Sequence, residues 1–161
     1  MGFLDAVSTC LRKFATFSGR APRAEYWYFY LFTILVSFVA SGADSLVFGT
    51  SWLDGGPIDN GTSIALLLPI IAVLVRRFHD VGKSGWQVLA VIAALFAGVI
   101  IMALNAESST GVAAIIPGAV ITLASFGYLL YVTLKRSDPG MNEYGPNPYE
   151  DPGMALEEVF R

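Results

Sequence analysis

Long apolar stretches separated by short polar ones dominate this chain. Positions 26–48, 86–104 and 112–134 are nearly free of charge. Positions 58–75 join a small, polar entry (Asn60, Gly61, Thr62, Ser63) to the apolar run IALLLPIIAVLV from Ile64. A helix crosses the hydrocarbon core with about 20 apolar residues, roughly 17 to 25, so the pattern predicts four transmembrane helices. Pro69 falls in the middle of the second and is expected to kink it, which a membrane helix tolerates where neighbours re-satisfy the freed carbonyl. The predicted fold is an all-α integral membrane protein, a four-transmembrane-helix bundle over residues 1–148, with a short tail over 149–161. Ala90, Ala94 and Gly98 recur every four residues on the third span, a small-residue ridge suited to close approach of a second helix. A span of the same chain is the expected neighbour, with a homodimer seam as the alternative.

Before the first span, Phe3, Leu4, Val7, Leu11, Phe14 and Phe17 recur at spacings of one, three and four, which gathers them on one helical face. An N-terminal amphipathic interfacial helix is expected, with packing of this segment on the protein's own spans as the alternative. The first span is too long for the roughly 7 to 15 apolar residues of a cleaved signal peptide, so it is expected to be retained. Position 6 is Ala where myristoylation requires Ser or Thr.

Charge then orients the spans. Arg12, Lys13, Arg20 and Arg23 precede span one, Arg76, Arg77 and Lys83 lie between spans two and three, and Lys135, Arg136 and Arg161 follow span four. The opposite loops, 49–59 and 105–111, carry Asp54, Asp59 and Glu107 and no Lys or Arg. Positive residues stay cytoplasmic during insertion, so both termini are expected in the cytoplasm. An odd number of spans would split the positive residues between the two faces. Tyr26, Trp27, Tyr28 and Tyr30, then Trp86, then Tyr128 and Tyr131 mark the same ends with aromatic rings suited to the headgroup level.

Composition sharpens this picture by exclusion. Of 161 residues, 55% are hydrophobic and 14% charged, mean hydropathy is +0.60, net charge is −3 and the pI is about 5.0. That balance argues against a nucleic-acid partner met through overall positive charge. A single cysteine, Cys10, and a single histidine, His79, leave no internal disulfide and no Cys- or His-based metal cluster. Neither metal nor cofactor is expected.

The polar chemistry gathers at the basic ends. Positions 17–27, FSGRAPRAEYW, place Arg20, Arg23, Glu25 and Trp27 at the threshold of span one. Positions 76–86, RRFHDVGKSGW, bring Arg76, Arg77, His79, Asp80, Lys83, Ser84 and Trp86 into a tight hairpin, where Ser84 is expected to cap the third span. With Asn142 and Tyr144 of the turn-rich tail, these are the candidate lipid- or partner-binding residues. In these residues the chain resembles the bacterial inner-membrane proteins grouped as domain of unknown function 805, the YhaH-like proteins. The resemblance rests on F-x-G-R-x-x-R-x-E-Y-W at 17–27, P-x-x-x-x-x-x-R-R-x-H-D-x-x-x-S-G-W at 69–86 and N-x-Y-G-x-N-P at 142–148. It implies an integral plasma-membrane protein with several helices and no established activity.

Several readings of the cluster stay open. Arg20, Arg23, Arg76 and Arg77 could pair with Glu25 and Asp80 and knit the helix ends together. They could instead, with Lys83 and the start of span three, present donors to a phosphate, most economically a lipid headgroup. The tail motif with Asn142, Tyr144, Gly145 and Asn147 could fold back over that surface. Gly82-Lys83-Ser84-Gly85 lacks the G-x-x-x-x-G-K-[ST] spacing of a phosphate loop. His79 beside Asp80 could act as an oriented general base, although no nucleophile accompanies it. Asp44, the one carboxylate inside a predicted span and four residues from its outer end, reads first as an interfacial residue, with the ion ligand of a transporter as the alternative. The expectation is a non-enzymatic, multi-pass inner-membrane protein whose cytoplasmic Arg/His/Asp/Glu cluster binds anionic lipid or a protein partner, with a homo-oligomer or membrane-protein complex in view. A small oligomeric transporter or channel is the alternative.

Overall fold

Each apolar stretch folds as one helix, because a backbone surrounded by hydrocarbon must satisfy its N–H and C=O groups within its own segment. A computed structural model describes residues 1–52, 54–106 and 111–149; Glu107 of the expected acidic loop, and 150–161 of the expected tail with Arg161, lie outside them. The helices are α1 (Phe3–Arg12), α2 (Arg23–Phe48), α3 (Pro57–Asp80), α4 (Trp86–Leu104) and α5 (Ile116–Leu134), with a 3₁₀ turn, Gly111–Ala114, before the last. The four from α2 to α5 are long and apolar enough to cross a membrane. No strand occurs among the described residues, whose sole β feature is an isolated bridge between Asn142 and Gly145.

The second and fourth spans differ from their expected bounds for local reasons. α3 does not stop at 75; it continues through Arg76, Arg77, Phe78 and His79 to Asp80, so these side chains project from a helix and not from a loop. It also runs through Pro69 uninterrupted. α5 begins at Ile116 and not at 112, with Pro117 in its first turn, where the missing N–H of a proline forfeits no hydrogen bond within the helix.

α2 packs mainly on α3, and α4 mainly on α5. In the second pair a β-carbon at Gly98 would stand 2.8 Å from the Gly118 carbonyl oxygen, and one at Gly118 would stand 2.5 Å from the Gly98 oxygen. The expected ridge therefore seats a span of the same chain, with the closest backbone approach at Gly98. Ala94 is half-buried and Ala90 is exposed.

The two pairs join at the basic end, where Phe29, Val73, Leu74, Phe78, Val88 and Val132 form the buried core. Phe78 meets Tyr128 edge-on, with ring centroids 6.2 Å apart. α1 runs back along the start of α2. Cys10 Sγ lies 3.7 Å from Glu25 Oε1, Phe3 meets Tyr28 edge-on, and Ala6, Val7 and Cys10 are buried. Packing on the protein's own spans thus occurs, while Leu4, Leu11, Phe14 and Phe17 stay exposed, the last two beyond the helix end.

Candidate functional site

Helices end with carbonyls that have no partner inside the helix and with a negative dipole pole, and both favour cationic donors. Two such ends, those of α3 and α5, meet at the basic end of this molecule. Five of the candidate residues, Arg20, Arg23, Trp27, Arg77 and Asn142, donate to the carbonyls there.

The end of α5 is capped by α2 and α3. Arg77 Nε donates to the Thr133 carbonyl at 3.3 Å, and its Nη2 donates to Val132 at 3.2 Å and also to Lys135. Trp27 Nε1 donates to Thr133 at 3.3 Å, and Arg23 Nη1 to Leu134 at 3.3 Å. The end of α3 is capped by the segment before α2 and by the tail. Ala21 N donates to the Arg76 carbonyl at 3.0 Å and Asp138 N to the Asp80 carbonyl at 2.9 Å. Asn142 Nδ2 donates to the His79 carbonyl at 2.9 Å.

Asp80 ties the two caps together. Its Oδ1 accepts from Arg20 Nε at 3.1 Å; its Oδ2 accepts from Arg77 Nη1 and, at 2.5 Å, from Ser137 Oγ. Arg20 spends its remaining donors on the chain near and in the tail: Nη1 on Gly140 O at 2.8 Å and Gly145 O at 3.2 Å, Nη2 on Asp138 O at 2.5 Å. Arg20, Arg77 and Asp80 are all buried. The tail motif therefore lies over the hairpin, with the Tyr144 ring stacked on His79 at 3.8 Å between centroids. His79 Nδ1 lies 3.2 Å from the Gly19 carbonyl, an acceptor only, so that nitrogen carries the proton. Gly82 closes the α3–α4 turn at φ +69°, and a β-carbon there would sit 2.6 Å from Asp138 Oδ2.

Beside this clasp lies a second buried pair. Arg76 Nη1 donates to Glu25 Oε1 at 2.5 Å, with Arg76 1% and Glu25 3% exposed. Arg76 Nε and Nη2 have no hydrogen-bond partner. Cys10 closes the pair on the α1 side; burial first, then the Glu25 carboxylate, push its thiol up to about 12. Such a thiol is protonated and unreactive at neutral pH.

Thus Arg20, Arg77, His79, Asp80, Asn142 and Tyr144 form one inward-facing network with Trp27 at its edge, and Glu25 and Arg76 form a separate buried pair beside it. Arg23 is exposed around its single bond to α5, Lys83 is half-buried, and Trp86 is 78% exposed. Ser84 is not the cap of α4: Gly85 holds that position, and the Ser84 hydroxyl takes the Trp86 N–H only at a long 3.4 Å. Asp138 and Ser137 were not singled out from the sequence, where they read as ordinary turn residues. Asp44 is also a cap. Buried on α2, it accepts from Ile58 N at 3.0 Å and Asp59 N at 2.8 Å, which commits both oxygens to the first turn of α3. Among the described residues no group of three or more His, Cys, Asp or Glu could hold a metal ion.

The family described as protein of unknown function (DUF805) matches over residues 14–146. The inner membrane protein YhaH of Escherichia coli (strain K12) is 28% identical over 149 residues, which cover 92% of this chain and all of that protein. Another inner membrane protein of the same strain, YhaI, is 35% identical over 80 residues, 49% of this chain and 64% of YhaI. No solved structure matches.

Proposed function

The chain belongs to the DUF805 family, and on that footing we propose that it is a non-enzymatic component of the bacterial inner membrane with both termini in the cytoplasm. Its buried polar network acts as a structural clasp, and the cations left around that clasp hold anionic lipid headgroups. The observation that carries this reading is the division of labour among the basic residues. Arg20 and Arg77 give their donors to Asp80 and to main-chain carbonyls, whereas Arg23 and Arg136 are exposed and Lys83 is half-exposed beside the exposed Trp86. All described Lys and Arg residues belong to this one end, which supports its cytoplasmic placement. The commitment of Asp44 to the start of α3 removes the feature that favoured a transporter.

A cation near an anionic membrane surface contributes about 1 kcal/mol, so removing three should lower preference for anionic lipid by roughly a hundredfold. Native mass spectrometry from nanodiscs of equal phosphatidylglycerol and phosphatidylethanolamine tests this with Arg23→Gln/Lys83→Gln/Arg136→Gln. Loss of phosphatidylglycerol enrichment supports the reading. Unchanged enrichment overturns it and leaves the exposed cations to a protein partner.

A further inference from the structure

Arg23, Trp27, Tyr30, Ile34 and Ser37 recur at intervals of four, three, four and three, and therefore share one stripe of α2. At its basic end this stripe touches α5, through Arg23 to the Leu134 carbonyl and Trp27 to the Thr133 carbonyl, each at 3.3 Å. From Tyr30 onward α5 is gone from it. The stripe there borders an open groove of about 420 Å³, completed on α3 by Ser63, Leu66, Leu67 and Ile70, with no residue of α4 or α5 in its lining.

Distances along the helix match a lipid molecule. Arg23 stands about 10 Å above Tyr30, and the groove from Tyr30 to Ser37 descends about another 10 Å. One leaflet offers about 15 Å of hydrocarbon beneath its headgroups. An exposed guanidinium at headgroup level above an apolar slot at acyl depth has the polarity of a phospholipid, read in the same direction. A partner helix would need a carboxylate or its own C-terminal carbonyls at that level to use the cation, whereas every phospholipid brings a phosphate there. A neutral apolar molecule would leave that cation without a counterpart.

We infer that the groove between α2 and α3 seats one phospholipid, its phosphate on the free donors of Arg23 and one acyl chain along Tyr30, Ile34, Leu67 and Ile70. This rests on the membrane placement proposed above, but not on any preference for anionic headgroups, because every phospholipid carries the phosphate that Arg23 would hold.

The test counts lipids and types them separately. In the same nanodiscs, wild-type protein should keep one lipid of either class through activation that strips the others. Ile34→Trp/Leu67→Trp, which fills the groove, should lose that lipid whatever its headgroup, and Arg23→Gln should lower its occupancy about tenfold, as removal of a charge-assisted phosphate contact would. Lys83→Gln/Arg136→Gln should leave the count unchanged while altering the class ratio. Slow alkylation of Cys10 in each variant confirms that the buried Arg76–Glu25 pair and the packing of α1 on α2 remain intact. A retained lipid that survives groove filling, or an equal count in Arg23→Gln, overturns the inference. A class ratio indifferent to Lys83 and Arg136, with the groove lipid still lost on filling, overturns only the headgroup preference.

Discussion

Replacing Asp80 with asparagine probes the clasp at its centre. The carboxylate accepts from Arg20 on one oxygen and from Arg77 and Ser137 on the other, and it is fully buried. Asparagine keeps one acceptor but turns an NH₂ toward either Arg20 or the Arg77–Ser137 side. It also removes the negative charge that pairs directly with two buried guanidinium groups. Breaking a buried pair by deleting one partner costs about 3–5 kcal/mol, because the surviving charge stays desolvated. Set against a total stability of about 5–15 kcal/mol, the loss is large, and at 3 kcal/mol it is a more than hundredfold shift toward the open state. Arg20 links Asp80 to Asp138, Gly140 and Gly145, so the tail should come away first. Unfolding of the detergent-solubilised protein by SDS, with limited proteolysis beyond Ser137 as the local readout, measures both effects. Adding Arg20→Gln should restore part of the stability, with the double variant at least about 1 kcal/mol better than the sum of the singles. A single variant within about 1 kcal/mol of wild type, or strict additivity, would refute the clasp.

Further expectations follow from the other buried groups. Cys10 loses its proton near 9.0 when unfolded but only near 12 when folded. Stability supplied by the neutral thiol is thus complete below pH 9 and lost as pH rises toward 12, because the unfolded state then binds fewer protons. The stability difference between wild type and Cys10→Ala should shrink over that interval in thermal unfolding curves; parallel curves would sink the idea. Gly98→Leu should destabilise the α4–α5 pair by about 1–3 kcal/mol through overpacking against the Gly118 carbonyl. Gly127→Ala, with nothing within 4 Å of the added carbon, should be neutral or stabilising, and equal effects on melting temperature would contradict the close approach. Asp44→Ala should speed amide exchange at Ile58 and Asp59 and cost about 0.5–2 kcal/mol, with Asn restoring part of it; unaltered exchange at both amides would show that Asp44 is not the cap.

Much of this protein was legible from its residues in order. Hydropathy alone yields four spans, because a helix in lipid needs only enough consecutive apolar residues, a local property. The α4 bounds, 86–104, coincide with the expected ones for that reason. Segregation of Lys and Arg likewise singled out the end where the polar network lies. The partnerships within that end were not legible. Arg20, Arg76 and Arg77 could equally have turned toward headgroups or carboxylates, since charge pattern fixes the side of the membrane and not the direction of a long side chain. What decided it was the meeting of two helix ends, α3 and α5, whose unpaired carbonyls and negative dipole poles lie within reach of donors distant in sequence. Arg20 and Asp138 are 118 positions apart. Asp44 shows the same physics at the opposite end: a lone carboxylate near the end of an apolar run reads as an interfacial residue or an ion ligand until folding sets the start of α3 against it. The sequence by itself determined how many helices are long and apolar enough to cross a membrane and where the charge collects. Only the tertiary structure decided which charges face each other, because that depends on which helix ends folding brings together.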